Sequence, residues 1–346
     1  MKKIVLVFLV FCESLFLNAQ VVGTPYGVSQ KQEVLLLDLF PSYTPTFAFS
    51  TRKLRANYTG PAIRLYRDTD QSEVDVAFDA NGVVSATSEV TFVTSGSSGI
   101  AVGTTSTLSV YKGSNELYSS IWYDQGANAN HAIQNTLSLR PIFELDAAGN
   151  LNQYSALRFT GTLRHHLEVN QPIENLLGNV SGTTNGLYGS IGLIAKPTIS
   201  SSELNNNSFG FFNASNSNLR WSAHLNWPSG GLFTDFGNSA DSERVFVNSS
   251  NQNIYKQYTF VRYPTTKSVR FSGRNGHGSL SINQTLNTGN GIQGGSFGIG
   301  VTLGNLTTQN GYFGYFSEFV LYKEAFTLSE IVRLELNQLN FWKCTN

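Results

Sequence analysis

Charge is scarce in this sequence. Of its 346 residues only 13% are Asp, Glu, Lys or Arg, and the 23 basic and 23 acidic side chains cancel. A thinly charged chain without a basic cluster is a poor nucleic-acid ligand, because phosphate binding needs a concentrated positive field. Cysteine is nearly missing: Cys12 and Cys344 are too few for a disulfide-built scaffold or a thiolate metal site. No segment approaches the ~20 consecutive apolar residues of a transmembrane helix. The phosphate loop, the dinucleotide fingerprint, the His-Glu-x-x-His zinc helix and the Gly-x-Ser-x-Gly elbow are all absent. No internal repeat of solenoid period occurs. What is present is 40% hydrophobic and 12% aromatic, with 32 glycines and many asparagines. That is enough apolar material for a core, which excludes a disordered chain. The mixture suits an exported, mainly β protein with many turns.

The first residues read as a signal peptide spanning 1–19. Lys2 and Lys3 form its positive start, Ile4 to Phe11 its apolar run, and Ala19 the small residue before a cut that makes Gln20 the new N-terminus. The protein is therefore expected outside the cytoplasm: extracellular, periplasmic or at the cell surface. An N-terminal segment, 20–44, precedes a single domain, 45–342. Cys344 is expected to lie in a frayed C-terminal end or to pair between chains.

Along the domain, Leu54 and Tyr58 at i, i+4 predict a short helix over Phe49–Tyr58, stopped by Gly60-Pro61. Ile63 to Arg67 and Val74 to Phe78 alternate as strands do. A long series of short strands follows: Phe209–Phe212, Leu219–Trp227, Leu232–Phe236, Val245–Val247, Tyr258–Tyr263, Val269–Ser272, Ser279–Ile282, Phe297–Val301 and Tyr312–Tyr322. Gly230-Gly231, Asn275-Gly276 and Asn310-Gly311 supply turn chemistry between them. Such a pattern predicts an antiparallel sandwich or barrel. Thr327-Leu328-Ser329-Glu330 is a capping box that opens a C-terminal helix. Val332, Leu336 and Leu339 are its expected buried face.

Two segments are more specific. One runs from Ser50-Thr51-Arg52-Lys53-Leu54 through Tyr58-Thr59-Gly60 to Arg67-Asp68-Thr69-Asp70. The other is Trp122-Tyr123-Asp124-Gln125-Gly126-Ala127-Asn128-Ala129-Asn130-His131. Together they resemble the N-terminal part of the catalytic domain of the fungal-type α-L-arabinofuranosidase B family. Ala127 and Ala129 stand where that family has Ser and Gly. The resemblance is good over about 46–145, looser over 297–340 and poor between. It implies a concanavalin A-like, laminin G-like β-sandwich (a jelly roll) that removes terminal arabinofuranose with retention. The motif residues it carries over are Arg52, Tyr58, Gly60, Arg67, Asp70, Tyr123, Asp124, Gln125, Asn130 and His131. Loop scaffolding is their expected role, since Asp and Asn side chains readily bond nearby backbone.

The family's chemistry needs a Glu nucleophile and an Asp acid/base ~5 Å apart. The nearest equivalent of the nucleophile strand, Ser222-Ala223-His224-Leu225-Asn226-Trp227, holds no carboxylate. The equivalent of the acid/base loop, Leu286 to Gly295, contains neither Asp nor Glu. The family's adjacent cysteines are missing too. Asp124, Asp235 and Glu243 remain weak catalytic candidates. His165-His166 are adjacent, so on a strand they point to opposite faces and cannot share a metal. Trp221, His224, Asn226, Trp227 and Asp235 are the candidate ligand-binding residues, because aromatic rings stack on sugar faces while amides and carboxylates take the hydroxyls. Burial of the tryptophans in the core is the competing expectation. No cofactor is implied; calcium is common in this fold family, but no Asp/Asn cluster singles itself out as its site. Three functions stay open: recognition of a glycan without catalysis, an active α-L-arabinofuranosidase, and a structural or adhesive surface protein. The expected partner is a carbohydrate, with no nucleic acid and an open oligomeric state.

Overall fold

The computed structural model describes residues 34–145, 154–179, 186–198, 207–225 apart from 214 and 217, 231–237, 244–248, 253–285 apart from 265, 274 and 275, 291–304 and 311–344. The expected signal peptide, 1–19, lies outside them. Leu35–Asn346 forms one compact unit. Among the described residues no helix is long and apolar enough to cross a membrane.

The architecture is an antiparallel β-sandwich. Every strand predicted in the second half of the chain is present within a few residues of its expected bounds. One sheet runs in the order Pro45–Ser50, Gly314–Tyr322, Gly189–Pro197, Lys256–Arg262, Thr266–Gly273, Gly276–Thr285. The C-terminal helix, Leu328–Trp342, packs on this sheet. The opposing, open sheet has no helix of that length against its outer side among the described residues. Its order is Ala132–Ile133, Leu167–Pro172, Ser296–Ile299, Phe209–Phe211, Arg220–His224, Gly231–Gly237, Val245–Asn248. A meander of Ile63–Arg67, Ser72–Val76, Glu89–Thr94 and Thr105–Thr107 joins through Leu117–Trp122. Ile142–Glu144 and Ala156–Phe159 link that strand back to Gly314–Tyr322.

Alternation explains the core. Phe47, Phe49, Phe319 and Phe260 face inward from the helix-covered sheet and meet Phe209, Trp221 and Phe297 from the open one. Phe209 lies 5.1 Å from Phe319, edge to face, and Phe47 5.5 Å from Phe297. Each such buried ring contributes about 1.5–3 kcal/mol by leaving water.

The helix expected over Phe49–Tyr58 is not there. Phe49 and Ser50 end a strand paired with Phe319 and Glu318, and the following residues turn irregularly. Their backbone groups find distant partners instead of helical ones: the Lys53 N–H donates to Gly82 O and the Leu54 N–H to Gln125 Oε1. The N-terminal helical turn is Leu36–Leu39, a 3-10 helix. Its Leu36 and Leu37, with Phe40, pack against Val320, Phe326, Ile331 and Leu334. The C-terminal helix has the predicted cap: Glu330 Oε2 accepts from the Thr327 N–H at 2.7 Å and from its hydroxyl at 2.8 Å. Its buried face is rotated from the expected one. Of the expected face Leu339 is buried, whereas Val332 and Leu336 are half-buried; Ile331, Leu334, Glu335, Gln338 and Trp342 are buried in their place. Polar partners explain this. Glu335 pairs with Arg270 at 2.8 Å, and Gln338 and the Trp342 indole N–H both donate to Glu318 at 3.0 Å.

The C-terminal end is not frayed at Cys344. That residue is 1% exposed and clusters with Ile194, Tyr255, Leu339 and Trp342. Burial pushes its thiol well above the ordinary range.

Candidate functional site

Asp124 anchors the second sequence motif. It is buried, and its carboxylate accepts from the N–H groups of Ala48, Gly126 and Asn130 at 2.8, 2.8 and 3.0 Å. Burial raises its pKa against the opposing pull of those three donors. Gln125 Oε1 accepts from the Leu54 N–H at 2.7 Å while its amide donates to Arg52 O at 2.9 Å. The Asn128 and Asn130 amides donate to Pro45 O and Thr46 O, each at 2.8 Å. His131 Nδ1 accepts from the Asp124 N–H at 3.1 Å. Tyr123 donates to Asp75 at 2.8 Å. The motif thus clamps the Pro45–Ser50 strand and its exit.

The first motif is equally occupied. The Tyr58 hydroxyl donates to Pro61 O at 2.8 Å, and its ring lies over Gly60, where a Cβ would come within 2.6 Å of the phenol oxygen. Arg67 pairs with Asp70, and that ion pair holds the Asp70 carboxyl down at about 2. Arg52 is bound to Glu318 at 2.6 Å. Each of these groups is taken up by a partner within the chain, although Asn128 and Asn130 of the second motif also border a cavity of about 440 Å³ with Gln171 and Lys323.

The outer face of the open sheet is the other place to look. Direct cross-strand partners form one row: Ile121, Ile133, Glu168, Gly298, Gly210, Ser222, Asp235. Glu168 and Asp235 are its two carboxylates, four strand spacings apart. At ~4.8 Å per spacing that is about 19 Å. Retaining glycosidases need ~5 Å and inverting ones at most ~9.5 Å. The middle of the row is covered: a Cβ on Gly298 would lie 2.5 Å from Val301 O and 2.9 Å from Leu303 Cγ. The loop after the Ser296–Ile299 strand therefore rests on the sheet where a side chain is missing. The Leu303 N–H donates to Gly210 O, and Leu303 O accepts from the Phe212 N–H.

Beyond that loop, Asp235 is 1% exposed and sits between two guanidiniums. Arg220 reaches it at 2.6 Å and Arg244 at 2.7 and 2.9 Å, while the Ser222 hydroxyl donates at 3.2 Å. Burial pushes its carboxyl up, but the Arg244 hydrogen bond and the two positive charges outweigh that and hold it below the usual range. A carboxylate so engaged is a poor general acid and a poor nucleophile.

The neighbouring row is His224, Phe233, Phe246. His224 is buried, Phe233 half-buried and Phe246 45% exposed. The two phenyl rings lie 4.5 Å apart, and the Arg244 guanidinium sits 5.4 Å from the Phe233 ring. Trp221 has no face to offer here, because it is 1% exposed and packs on Phe209, Phe236 and Phe297. Asn226, Trp227 and Glu243 lie outside the described residues. The sequence reading named Asp235 and His224 but missed Arg220, Arg244 and Phe246. Parity was the available signal: with Trp221 inward, Arg220, Ser222 and His224 must point outward. Among the described residues no group of three or more His, Cys, Asp or Glu side chains converges as a metal site would.

With this geometry in hand, comparison with solved structures is informative. An arabinofuranosidase complexed with arabinofuranosyl-α-1,2-xylobiose superposes with a TM-score of 0.61 over 88% of this chain, at 13% identity. Its fold is shared with the GH54 arabinofuranosidases. A GH54 α-L-arabinofuranosidase variant soaked with 4-nitrophenyl α-L-arabinofuranoside gives 0.60 at 14% identity. A GH54 enzyme soaked with a cyclic sulfate inhibitor gives 0.59 at 13% identity. The chain spans just under two thirds of these proteins, 64–65% of their length. No family model and no curated protein matches it in sequence.

Proposed function

We propose that this protein is exported and recognises a glycan, without arabinofuranoside hydrolysis. The carrying observation is Asp235 locked between Arg220 and Arg244, beside the exposed Phe246. Beside the strand that resembles the family's nucleophile strand, Asp235 on the paired strand Gly231–Gly237 is neutralised instead of being aimed at an anomeric carbon. The adjacent phenyl pair offers a stacking surface for a sugar ring, and the guanidiniums offer donors for its hydroxyls. The shared fold supports a carbohydrate ligand by analogy alone. Cleavage after Ala19 places the protein outside the cytoplasm, and N-terminal sequencing of the exported chain tests that step.

The test pairs a glycan array with an aryl α-L-arabinofuranoside. Retention of at least one glycan is expected, with about tenfold weaker retention for Phe246→Ala, equivalent to ~1.4 kcal/mol. No release of the aryl group is expected. Rapid release overturns the non-catalytic reading in favour of an active glycosidase. An array that retains nothing overturns recognition and leaves the adhesive scaffold.

A further inference from the structure

A cavity of about 530 Å³ opens at the other end of the molecule's open sheet, between two short helical turns. One wall is the Leu137–Leu139 turn, the other the Gly161–Leu163 turn. Asp68, Tyr118, Thr136, Ser138, Leu163 and His165 line it. We propose that this cavity is a ligand site, separate from the Asp235 face, that takes a neutral hydroxyl-bearing ring such as a sugar residue.

Three observations carry this. The first is His165. It is 3% exposed, lines the cavity, and its Nδ1 has no hydrogen-bond partner. The ring is part of the cavity wall, while Nδ1 itself is closed to solvent, so a ligand reaches that atom only with a small shift of the wall. A hydroxyl serves whichever tautomer is present, since it donates and accepts alike. Burial first, then the charges of Arg158 and His166, push this imidazole down to about 4. It therefore offers no positive charge to an anion at neutral pH.

The second is the mixture of linings. Tyr118 supplies an aromatic face, and its hydroxyl is anchored on Glu116 at 3.1 Å. Leu137 and Leu163, 36% and 56% exposed, give the mouth an apolar rim. The Asp68 carboxylate and the Thr136 and Ser138 hydroxyls are the polar counterpart. A ring with a C–H face and peripheral hydroxyls matches both, and the volume lies within the range of small-ligand sites.

The third is rigidity. The His166 N–H donates to Leu139 O at 2.8 Å and ties one turn to the other. The His166 ring meets the Gln134 amide at 2.9 Å, and Arg140 Nε donates to Gln134 O at 2.9 Å. The walls are held before any ligand arrives, which lowers the ordering cost of binding. A second cavity of about 290 Å³ shares Thr136 and continues past Asn135 to Glu168 and Asn170. It gives a longer chain a path onward, so an oligosaccharide is expected to bind tighter than its monosaccharide.

The inference stands on these residues and not on the Asp235 face. Its test is NMR of the histidine-labelled full chain, titrated with methyl glycosides of arabinofuranose, xylose, glucose and galactose to about 10 mM, where a ~1 mM site is nearly filled. A saturable shift of the His165 ring is expected for at least one probe. Ser138→Trp, which fills the cavity from an exposed position, is expected to abolish it, and Leu163→Glu at the rim to weaken it about tenfold. Phe246→Ala is expected to leave it unchanged. No His165 shift with any probe overturns the proposal. So does an unchanged titration in both the Ser138→Trp and Leu163→Glu chains. Weaker array retention in Phe246→Ala with the His165 shift intact separates the two sites.

Discussion

Arg52 and Glu318 bring opposite charges to a place where both are buried, and everything around them is arranged to make that tolerable. Glu318 takes two bonds from Arg52, one from the Ser50 hydroxyl, one from Gln338 and one from Trp342. Arg52 also bonds Asn337 at 2.8 Å, and its guanidinium lies 4.4 Å from the Phe341 ring. Removing one charge strands the other, so Glu318→Gln is expected to lose about 3–5 kcal/mol in denaturant unfolding. Asp124→Ala leaves three backbone donors without an acceptor and is expected to cost at least ~3 kcal/mol. Asp124→Asn keeps one acceptor oxygen, so the same unfolding measurement should place it between the unsubstituted chain and Asp124→Ala. The sequence makes Asp124 legible as a loop-ordering group, because its partners include Gly126 and Asn130 in the same motif. It hides the Arg52–Glu318 pair, whose members stand 266 positions apart.

At the scale of elements, local chemistry reads well where the partners are local. The Thr327–Glu330 capping box needs four consecutive residues and no tertiary context. Thr327→Ala is expected to cost about 1 kcal/mol, read as a lowered unfolding midpoint with an unchanged denaturant slope. The buried face of the same helix was not legible. Glu335 and Gln338 look like solvent residues to any hydrophobic count, and only Arg270, Gln257 and Glu318 make them core. The helix expected over Phe49–Tyr58 failed for the same reason. Leu54 and Tyr58 have helical spacing, but strand pairing to Phe319 and the Gln125 amide claim the backbone first. Short strands with period-two alternation and Gly or Asn between them are readable from Phe209 onward, whereas Pro45–Ser50, Glu89–Thr94, Leu117–Trp122, Leu167–Pro172 and Gly189–Pro197 go unpredicted. The order of the strands across the sheets was not readable, because Pro45–Ser50 finds its neighbour in Gly314–Tyr322 at the far end of the chain.

For the whole molecule, the buried histidines set a pH window. Burial lowers the pKa of His131, His165 and His166. Below the ordinary value of 6.5 the unfolded chain takes up protons that the native state refuses, so it binds more protons and stability falls with pH. The contribution is full above pH ~6.5 and disappears toward the native value of about 4 at His165. Thermal unfolding midpoints are expected to be flat above pH ~6.5. They should drop between there and pH ~4, with His165 alone accounting for about 1 kcal/mol of lost stability after allowing for solvent screening at the cavity mouth. A midpoint independent of pH across that window contradicts the burial of these rings.

Cys344 turns the end of the chain into a clock. Its thiol is sealed under Trp342 and Leu339 and stays protonated at neutral pH, so an electrophile in solution has nothing to attack while the last helix is seated. In a chain cut after Ala19 no other thiol competes. The rate at which a thiol reagent labels the folded protein therefore counts the openings of that one helix. Compared with the rate of global unfolding, it tells whether the helix leaves alone or only with the sheet beneath it.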